Sequence, residues 1–289
     1  MPRSLLTLSL LTFLVLTGYG LSITVVFATT TDAAAPAVVA SIPLADPPVL
    51  TYTTFLPIVL RQASTIPPGA ITLYALGDSL TAGDGDDSPA GGGYPRRLIN
   101  QIQSSRPGSS VTNLGQSGWT SADLINGLGG VPSQLDQTVA AHPTLACVWI
   151  GSNDLWYLYE FGNPSPADEA QDLQNFTNNL DTILSRLRGG GTTVFIALLD
   201  DQSQRPVASS GAFPGISAAE RALMSQQVTR YNQAISNKAA QYGATAVDFY
   251  HTTIFTNPAT LADDGNHPNA AGYDIITQIW FNAMSPQLN

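Results

Sequence analysis

The sequence predicts an α/β domain built on a parallel sheet of about five strands, covered by helices on both faces. Three observations carry this reading. From residue 71 onward, short apolar runs alternate with stretches of helical periodicity. The run 145–150, Leu-Ala-Cys-Val-Trp-Ile, is apolar at every position, as a strand buried on both faces must be. Polar clusters, most of them containing glycine, follow the first three strands and precede the last helix, and open α/β sheets bind ligands beyond the carboxyl ends of their strands.

The elements follow in order. Residues 71–76 form a first buried strand that ends at Gly77. A helix over 94–105 gathers Leu98, Ile99 and Ile102 on one face. A short strand covers 111–113, and two short helices cover 121–128 and 133–141. The strand 145–150 comes next. A helix over 168–188 repeats Leu173, Phe176, Leu180, Ile183, Leu184 and Leu187 at helical spacing, and Gly189-Gly190-Gly191 stops it. A strand over 192–199 precedes Ser217-Ala218-Ala219-Glu220, a capping box that opens a helix reaching about residue 242. A last strand covers 245–249 and a last helix 269–284.

Ahead of this domain lie two segments of different character. After Arg3 no charge occurs until Asp32, and residues 4–28 are largely apolar, ending in Val26-Phe27-Ala28. A basic start, an apolar stretch and a small-residue exit describe a secretory signal peptide over 1–28, with an uncleaved membrane anchor as the alternative. Either way the remainder is expected to be exported. Residues 29–70 hold seven Pro and only three charges, which predicts an extended linker. Within it, the apolar stretch 54–60 is a candidate edge segment, since Pro57 excludes a central strand. The catalytic-type domain is then 71–289.

Composition excludes several classes. Lys+Arg is 11 and Asp+Glu is 21, a formal net charge of −10, so nucleic acid is not an expected partner. Three His and one Cys cannot build a cysteine-rich zinc cage, and a single Cys forms no internal disulfide. A hydrophobic fraction of 44% supplies a core. No cofactor and no metal are expected.

The strand-end clusters suggest nucleophilic catalysis. They read Gly77-Asp78-Ser79-Leu80, then Asn113-Leu114-Gly115-Gln116-Ser117-Gly118, then Gly151-Ser152-Asn153-Asp154, then Asp264-Gly265-Asn266-His267-Pro268. A serine hydroxyl needs a base to take its proton, most often His. Of His142, His251 and His267, His142 reads as a surface turn residue and His251 as structural. His267 has Asp264 three residues upstream, a spacing that lets the carboxylate bond one ring nitrogen and leave the other to face a serine. Asp263 is the second candidate for that orienting role. The backbone N–H groups of Ser79 and Gly118 and the side-chain amide of Asn153 are candidate oxyanion donors.

These blocks resemble those of the GDSL esterases and lipases, also called SGNH hydrolases. The family's Ser, Gly, Asn and His correspond to Ser79, Gly118, Asn153 and His267, with Asp264 as third triad member. Asn153 stands in Gly-Ser-Asn-Asp, matching Gly-x-Asn-Asp, and His267 in Asp-x-x-His-Pro. The resemblance spans 71–289. It implies a flavodoxin-like three-layer α/β/α sandwich and ester hydrolysis through an acyl-enzyme.

The favoured substrates are short-chain or sugar O-acyl esters, because no strongly apolar lid helix is visible. A lipase or phospholipase acting on longer chains is the alternative; a catalytically inactive carbohydrate-binding or adhesion domain is another. Trp156, Tyr157, Tyr159 and Phe161 follow the third block and are candidates for lining an acyl or sugar pocket. Asp84, Asp86 and Asp87 lack calcium-loop spacing and read as a solvated loop. The segment 200–215 is long enough for a lid. Cys147 is expected to be a buried, inert thiol. The sequon Asn175-Phe176-Thr177 falls inside a predicted helix.

Overall fold

A computed structural model describes residues 8–17, 20–29, 39–41, 66–160, 163–210 and 216–288, with side chains from Ile66 onward. The chain divides into two units, Met1–Leu60 and Arg61–Asn289. In the first, β1 (Leu8–Thr17), β2 (Gly20–Thr29) and β3 (Val39–Ser41) form an antiparallel sheet in the order β1-β2-β3, with Leu8 opposite Thr29. The stretch 54–60 lies outside the described residues. Among those described, no helix is long and apolar enough to cross a membrane.

The second unit runs β4 (Thr72–Gly77), α1 (Ser79–Ala82), α2 (Gly93–Ser105), β5 (Ser110–Asn113), α3 (Ser121–Asn126), α4 (Gln134–Ala141), β6 (Leu145–Trp149), α5 (Ser152–Glu160), α6 (Pro166–Gly189), β7 (Thr193–Leu198), α7 (Ala218–Tyr242), β8 (Thr245–Asp248) and α8 (Ala270–Leu288). Short 3-10 turns at Gln202–Gln204 and Pro206–Ser209 follow β7. The sheet order is β5-β4-β6-β7-β8, and every neighbouring pair is parallel. The chain starts at β4, steps outward to β5 and then crosses to β6. The strand order therefore reverses at the carboxyl ends of β4 and β6, which opens a crevice there.

Sequence pattern explains each layer. All of β6 is buried, as its unbroken apolar run requires. Packing of α2 against α8 covers one face, and α6 pairs with α7 beside α3 and α4 on the other. The predicted box closes α7, with the Ser217 N–H donating to Glu220 Oε2 at 2.7 Å and the Glu220 N–H to Ser217 Oγ at 3.2 Å. Under the site, Trp149 stacks on Phe249 at 4.2 Å and meets Trp280 edge-on at 6.1 Å. Cys147 is buried in β6, and burial pushes its thiol up.

Several boundaries moved. Helix α5 was not expected. The last helix continues past 284, through Pro286 to Leu288. The packed part of the chain also begins before residue 71. Ile66 is buried, its N–H donates to the Gln287 carbonyl at 3.3 Å, and the buried Arg106 guanidinium binds the carbonyls of Pro67 and Leu288. The end of the expected linker is thus part of the domain.

Candidate active site

The first block sits on a sharp strand-to-helix turn. Strand β4 ends at Gly77, and a buried side-chain amide holds that end. Gln134 Oε1 accepts from the Gly77 N–H at 2.8 Å while Gln134 Nε2 donates to the Gly77 carbonyl at 2.9 Å. Asp78 caps α1 by accepting from the Leu80 N–H at 3.0 Å, and Ser79 becomes the first helical residue. Asp78 is fully buried, and among the described residues its Oδ2 has no hydrogen-bond partner. Burial pushes its carboxyl up to about 7, against the Leu80 bond and the nearby Arg205 charge.

The last block meets Ser79 from 188 residues away in sequence. His267 Nε2 lies 3.0 Å from Ser79 Oγ, and His267 Nδ1 lies 2.6 Å from Asp264 Oδ2. Asp264 Oδ1 also accepts the N–H groups of Asn266 at 2.8 Å and His267 at 2.9 Å. Burial opposes ionisation of Asp264, but these bonds outweigh it and hold the carboxyl below the ordinary range. A proton on Nδ1 then donates to the carboxylate and leaves Nε2 as the acceptor facing the serine. Asp263 makes no such bond among the described residues.

The other two histidines stand apart. His142 caps α4 with φ 47, a surface turn residue as expected. His251 repeats the spacing, with Nδ1 2.7 Å from Asp248 Oδ2, but the pair is exposed and no serine faces it.

The second block is tied to the nucleophile loop, with the Gln116 N–H donating to the Gly77 carbonyl at 3.1 Å and the Ser117 hydroxyl to Asp84 at 2.6 Å, and the third block is tied to the second. Gly118 holds φ 80, a left-handed conformation that a Cβ would strain. Among the described residues, the N–H groups of Ser79 and Gly118 donate to no protein acceptor. Asn153, in the first turn of α5, donates one Nδ2 hydrogen to the Trp119 carbonyl at 2.8 Å, and among the described residues its second Nδ2 hydrogen has no protein acceptor. Asp154 accepts the Ser121 N–H at 2.9 Å and the Ser121 hydroxyl at 2.5 Å. Burial pushes its carboxyl up to about 6 despite those two bonds.

The aromatic candidates separate once α5 is seen. Trp156 and Tyr159 are buried in the core, and the Tyr159 hydroxyl donates to Glu169 at 2.8 Å, so neither offers a face to substrate. Their helical spacing with Leu155 explains this, because all three lie on the inward side of α5. Tyr157 alone stays exposed, and its hydroxyl donates to the Gly118 carbonyl at 3.0 Å. Phe161 lies outside the described residues.

The acidic loop is bonded rather than solvated. Asp84 accepts the Ser117 hydroxyl at 2.6 Å, Asp86 accepts from both Arg97 Nη atoms and the Gly93 N–H, and Asp87 accepts the Ala270 N–H at 2.8 Å where α8 begins. Burial would raise the Asp86 carboxyl, yet Arg97 and the other donors bring it down to about 2. Among the described residues, no three His, Cys, Asp or Glu side chains gather as a metal set.

Segment 200–210 is pinned as well, which removes it as a lid; 211–215 lie outside the described residues. Arg205 is buried and forms a two-pronged pair with Asp200 at 2.8 and 2.6 Å. Its remaining nitrogen donates to Asn266 Oδ1 at 2.8 Å, tying this loop to the His267 block. Neither Gln134 nor Arg205 was foreseen in such a role. Gly77 lies 57 residues from Gln134 and Asn266 lies 61 from Arg205, and only the topology joins them.

Comparisons with known proteins bear on the family and the fold. The sequence model of the GDSL-like Lipase/Acylhydrolase family matches residues 75–275. Comparison with curated proteins gave no match. Among solved structures, an acetylxylan esterase from Geobacillus stearothermophilus is 21% identical at a TM-score of 0.54, covering 76% of this chain and 96% of its own. An alpha/beta hydrolase enzyme from the metagenome of Lake Arreo, Spain, is 20% identical at 0.55, covering 78% and 99%. A psychrotrophic esterase from Pseudoalteromonas sp. is 16% identical at 0.55, covering 76% and 99%. At these identities the structures establish a shared fold, and the family match establishes the lineage. The chain belongs to the GDSL-like lipase/acylhydrolase family and is a carboxylic ester hydrolase.

Proposed function

We propose that this protein is an exported serine esterase acting on short-chain or sugar O-acyl esters, with Ser79 as nucleophile, His267 as general base and Asp264 as its orienting carboxylate. The observation that carries the roles is the continuous relay from Asp264 Oδ2 through both ring nitrogens of His267 to Ser79 Oγ, at 2.6 and 3.0 Å.

The reaction follows from the positions. Ser79 Oγ attacks the ester carbonyl carbon while His267 Nε2 takes the hydroxyl proton. The carbonyl oxygen becomes an oxyanion held by the N–H groups of Ser79 and Gly118 and by the Asn153 amide. The C–O bond to the alcohol breaks, and His267 returns the proton to the departing alcohol oxygen. Water then gives a proton to His267 and attacks the acyl carbon. When this second tetrahedral adduct collapses, Ser79 regains its proton and the carboxylic acid leaves. Asp264 stays ionised throughout and stabilises the imidazolium.

Support for small or sugar-linked acyl groups is that, among the described residues, the segment after β7 is tied down and forms no apolar lid, together with an acetylxylan esterase among the similar structures. Export rests on the apolar stretch 4–28 behind Arg3.

The test combines labelling with a substrate panel. A fluorophosphonate should form an adduct on Ser79, and Ser79→Ala should abolish both adduct and hydrolysis. Hydrolysis that survives Ser79→Ala would overturn the nucleophile. Among p-nitrophenyl esters from acetate to palmitate, kcat/KM should be highest for the short chains; a maximum at palmitate would replace this reading with a lipase.

A further inference from the structure

We propose that Tyr157 is a positioning residue for the oxyanion hole, through its hydroxyl on the Gly118 carbonyl. The proposal rests on the reading above that the Gly118 N–H is an oxyanion donor.

Glycine at 118 with φ 80 gives the chain the turn it needs, but it also leaves the backbone free to swing. An oxyanion donor is useful only if its N–H is held in direction before the charge forms. The structure holds this peptide segment at successive points. Before Gly118, the Ser117 hydroxyl is tied to Asp84 on the nucleophile loop at 2.6 Å. At Gly118 itself, the carbonyl accepts from the Tyr157 hydroxyl at 3.0 Å. One residue on, the Trp119 carbonyl accepts from the Asn153 amide at 2.8 Å. Two further on, Ser121 is held by Asp154.

Three of these four ties come from one helix. Asn153 and Tyr157 are four residues apart on α5, so they project from the same face, one above the other. They grip two consecutive carbonyls of the same loop. Tyr157 is the one aromatic of this helix described as exposed, and a core packing role does not account for it. Space is not the reason for glycine at 118 either, since an added Cβ would meet the Tyr157 hydroxyl at an ordinary 3.5 Å. What Tyr157 supplies is direction. A donor misplaced by a fraction of an ångström loses much of its effect on the transition state and little of its effect on ground-state binding.

The experiment compares Tyr157→Phe with Asn153→Ala in the full chain. Tyr157→Phe removes one hydroxyl and keeps the ring. We expect kcat on p-nitrophenyl acetate to fall about tenfold, with KM within about twofold. The inhibition constant of an alkyl boronic acid, which forms a tetrahedral adduct on serine, should weaken by the same factor as kcat. The thermal midpoint should not change. An unchanged kcat in Tyr157→Phe, with Asn153→Ala impaired, would overturn this role and leave the oxyanion reading standing. A KM that rises with acyl-chain length while kcat holds would also overturn it, making Tyr157 a wall of the acyl pocket. If Asn153→Ala keeps full kcat, the oxyanion reading falls and the proposal with it.

Discussion

Asp78→Asn should flatten the pH dependence of stability. Asp78 is fully buried beside the nucleophile, with one carboxylate oxygen bonded to the Leu80 N–H and the other, among the described residues, without a partner. Burial lifts its carboxyl from 3.8 to about 7. Three units at 1.36 kcal/mol each come to about 4 kcal/mol. The sign follows from where the proton is held more tightly. The folded protein binds this proton better than the unfolded chain does, so its contribution to stability is full below pH 4. It is lost progressively up to about pH 7 and is flat above. Asparagine keeps the acceptor for Leu80 but cannot ionise. The stability difference, variant minus parent, should therefore grow by about 4 kcal/mol between pH 4 and pH 8. Urea unfolding followed by tryptophan fluorescence at several pH values measures it. Other carboxyls titrate in both proteins and cancel in the subtraction, apart from the coupling of Asp78 to Asp154 and Asp200. A difference that stays constant across this range would refute the buried, uncompensated carboxylate.

The remaining predictions concern the site and the domain edge. His267→Ala should lower kcat by several decades, because nucleophile and base act as a unit, whereas His251→Ala should leave it within about twofold despite the matching Asp248 contact. The same kinetics run against pH should show kcat/KM falling on acidification, since a protonated imidazole cannot accept the Ser79 proton; a flat profile between about pH 5 and 8 would exclude a histidine base. Gly85→Ala should cost roughly 100-fold in kcat, because the new Cβ would lie 2.7 Å from both His267 Cβ and the Pro268 carbonyl oxygen, at φ 81. A chain starting at residue 71 should unfold about 2 kcal/mol more easily than one starting at 61, from the lost burial of Ile66, as measured by urea denaturation.

Sequence legibility follows the range of the interactions. Strand β6 announces itself as an unbroken apolar run, α6 by apolar residues at helical spacing and α7 by its capping box. The Ser79, Asp264 and His267 blocks are legible because each is a compact motif. Helix α5 was hidden because Gly151-Ser152-Asn153-Asp154 reads as a turn, and the aromatic run after it reads as pocket lining. The inward set Leu155, Trp156 and Tyr159 was the available signal. The acidic loop misled for a different reason. Charge suggests solvent, but Asp84, Asp86 and Asp87 find donors on Ser117, Arg97 and the start of α8, and those pairings depend on tertiary structure. Gln134 on Gly77 and Arg205 on Asn266 are similar cases, with local sequence that predicts nothing about partners brought in from distant parts of the chain.

The amide of Gln134 on Gly77 has a counterpart on another strand. Asn232 pairs with both the N–H and the carbonyl of Leu199, at 2.7 and 2.8 Å, where β7 gives out. In each case a helix side chain completes the backbone bonding at the carboxyl end of the strand, at the last residue of β4 and one residue past β7. The loops that leave those strands are thus relieved of finishing the sheet. Loop grafting beyond the nucleophile turn can change which esters are accepted while the framework beneath keeps its own terminations. Because both tethers are uncharged, that tolerance should persist across salt and pH conditions that would loosen an ion-paired hinge.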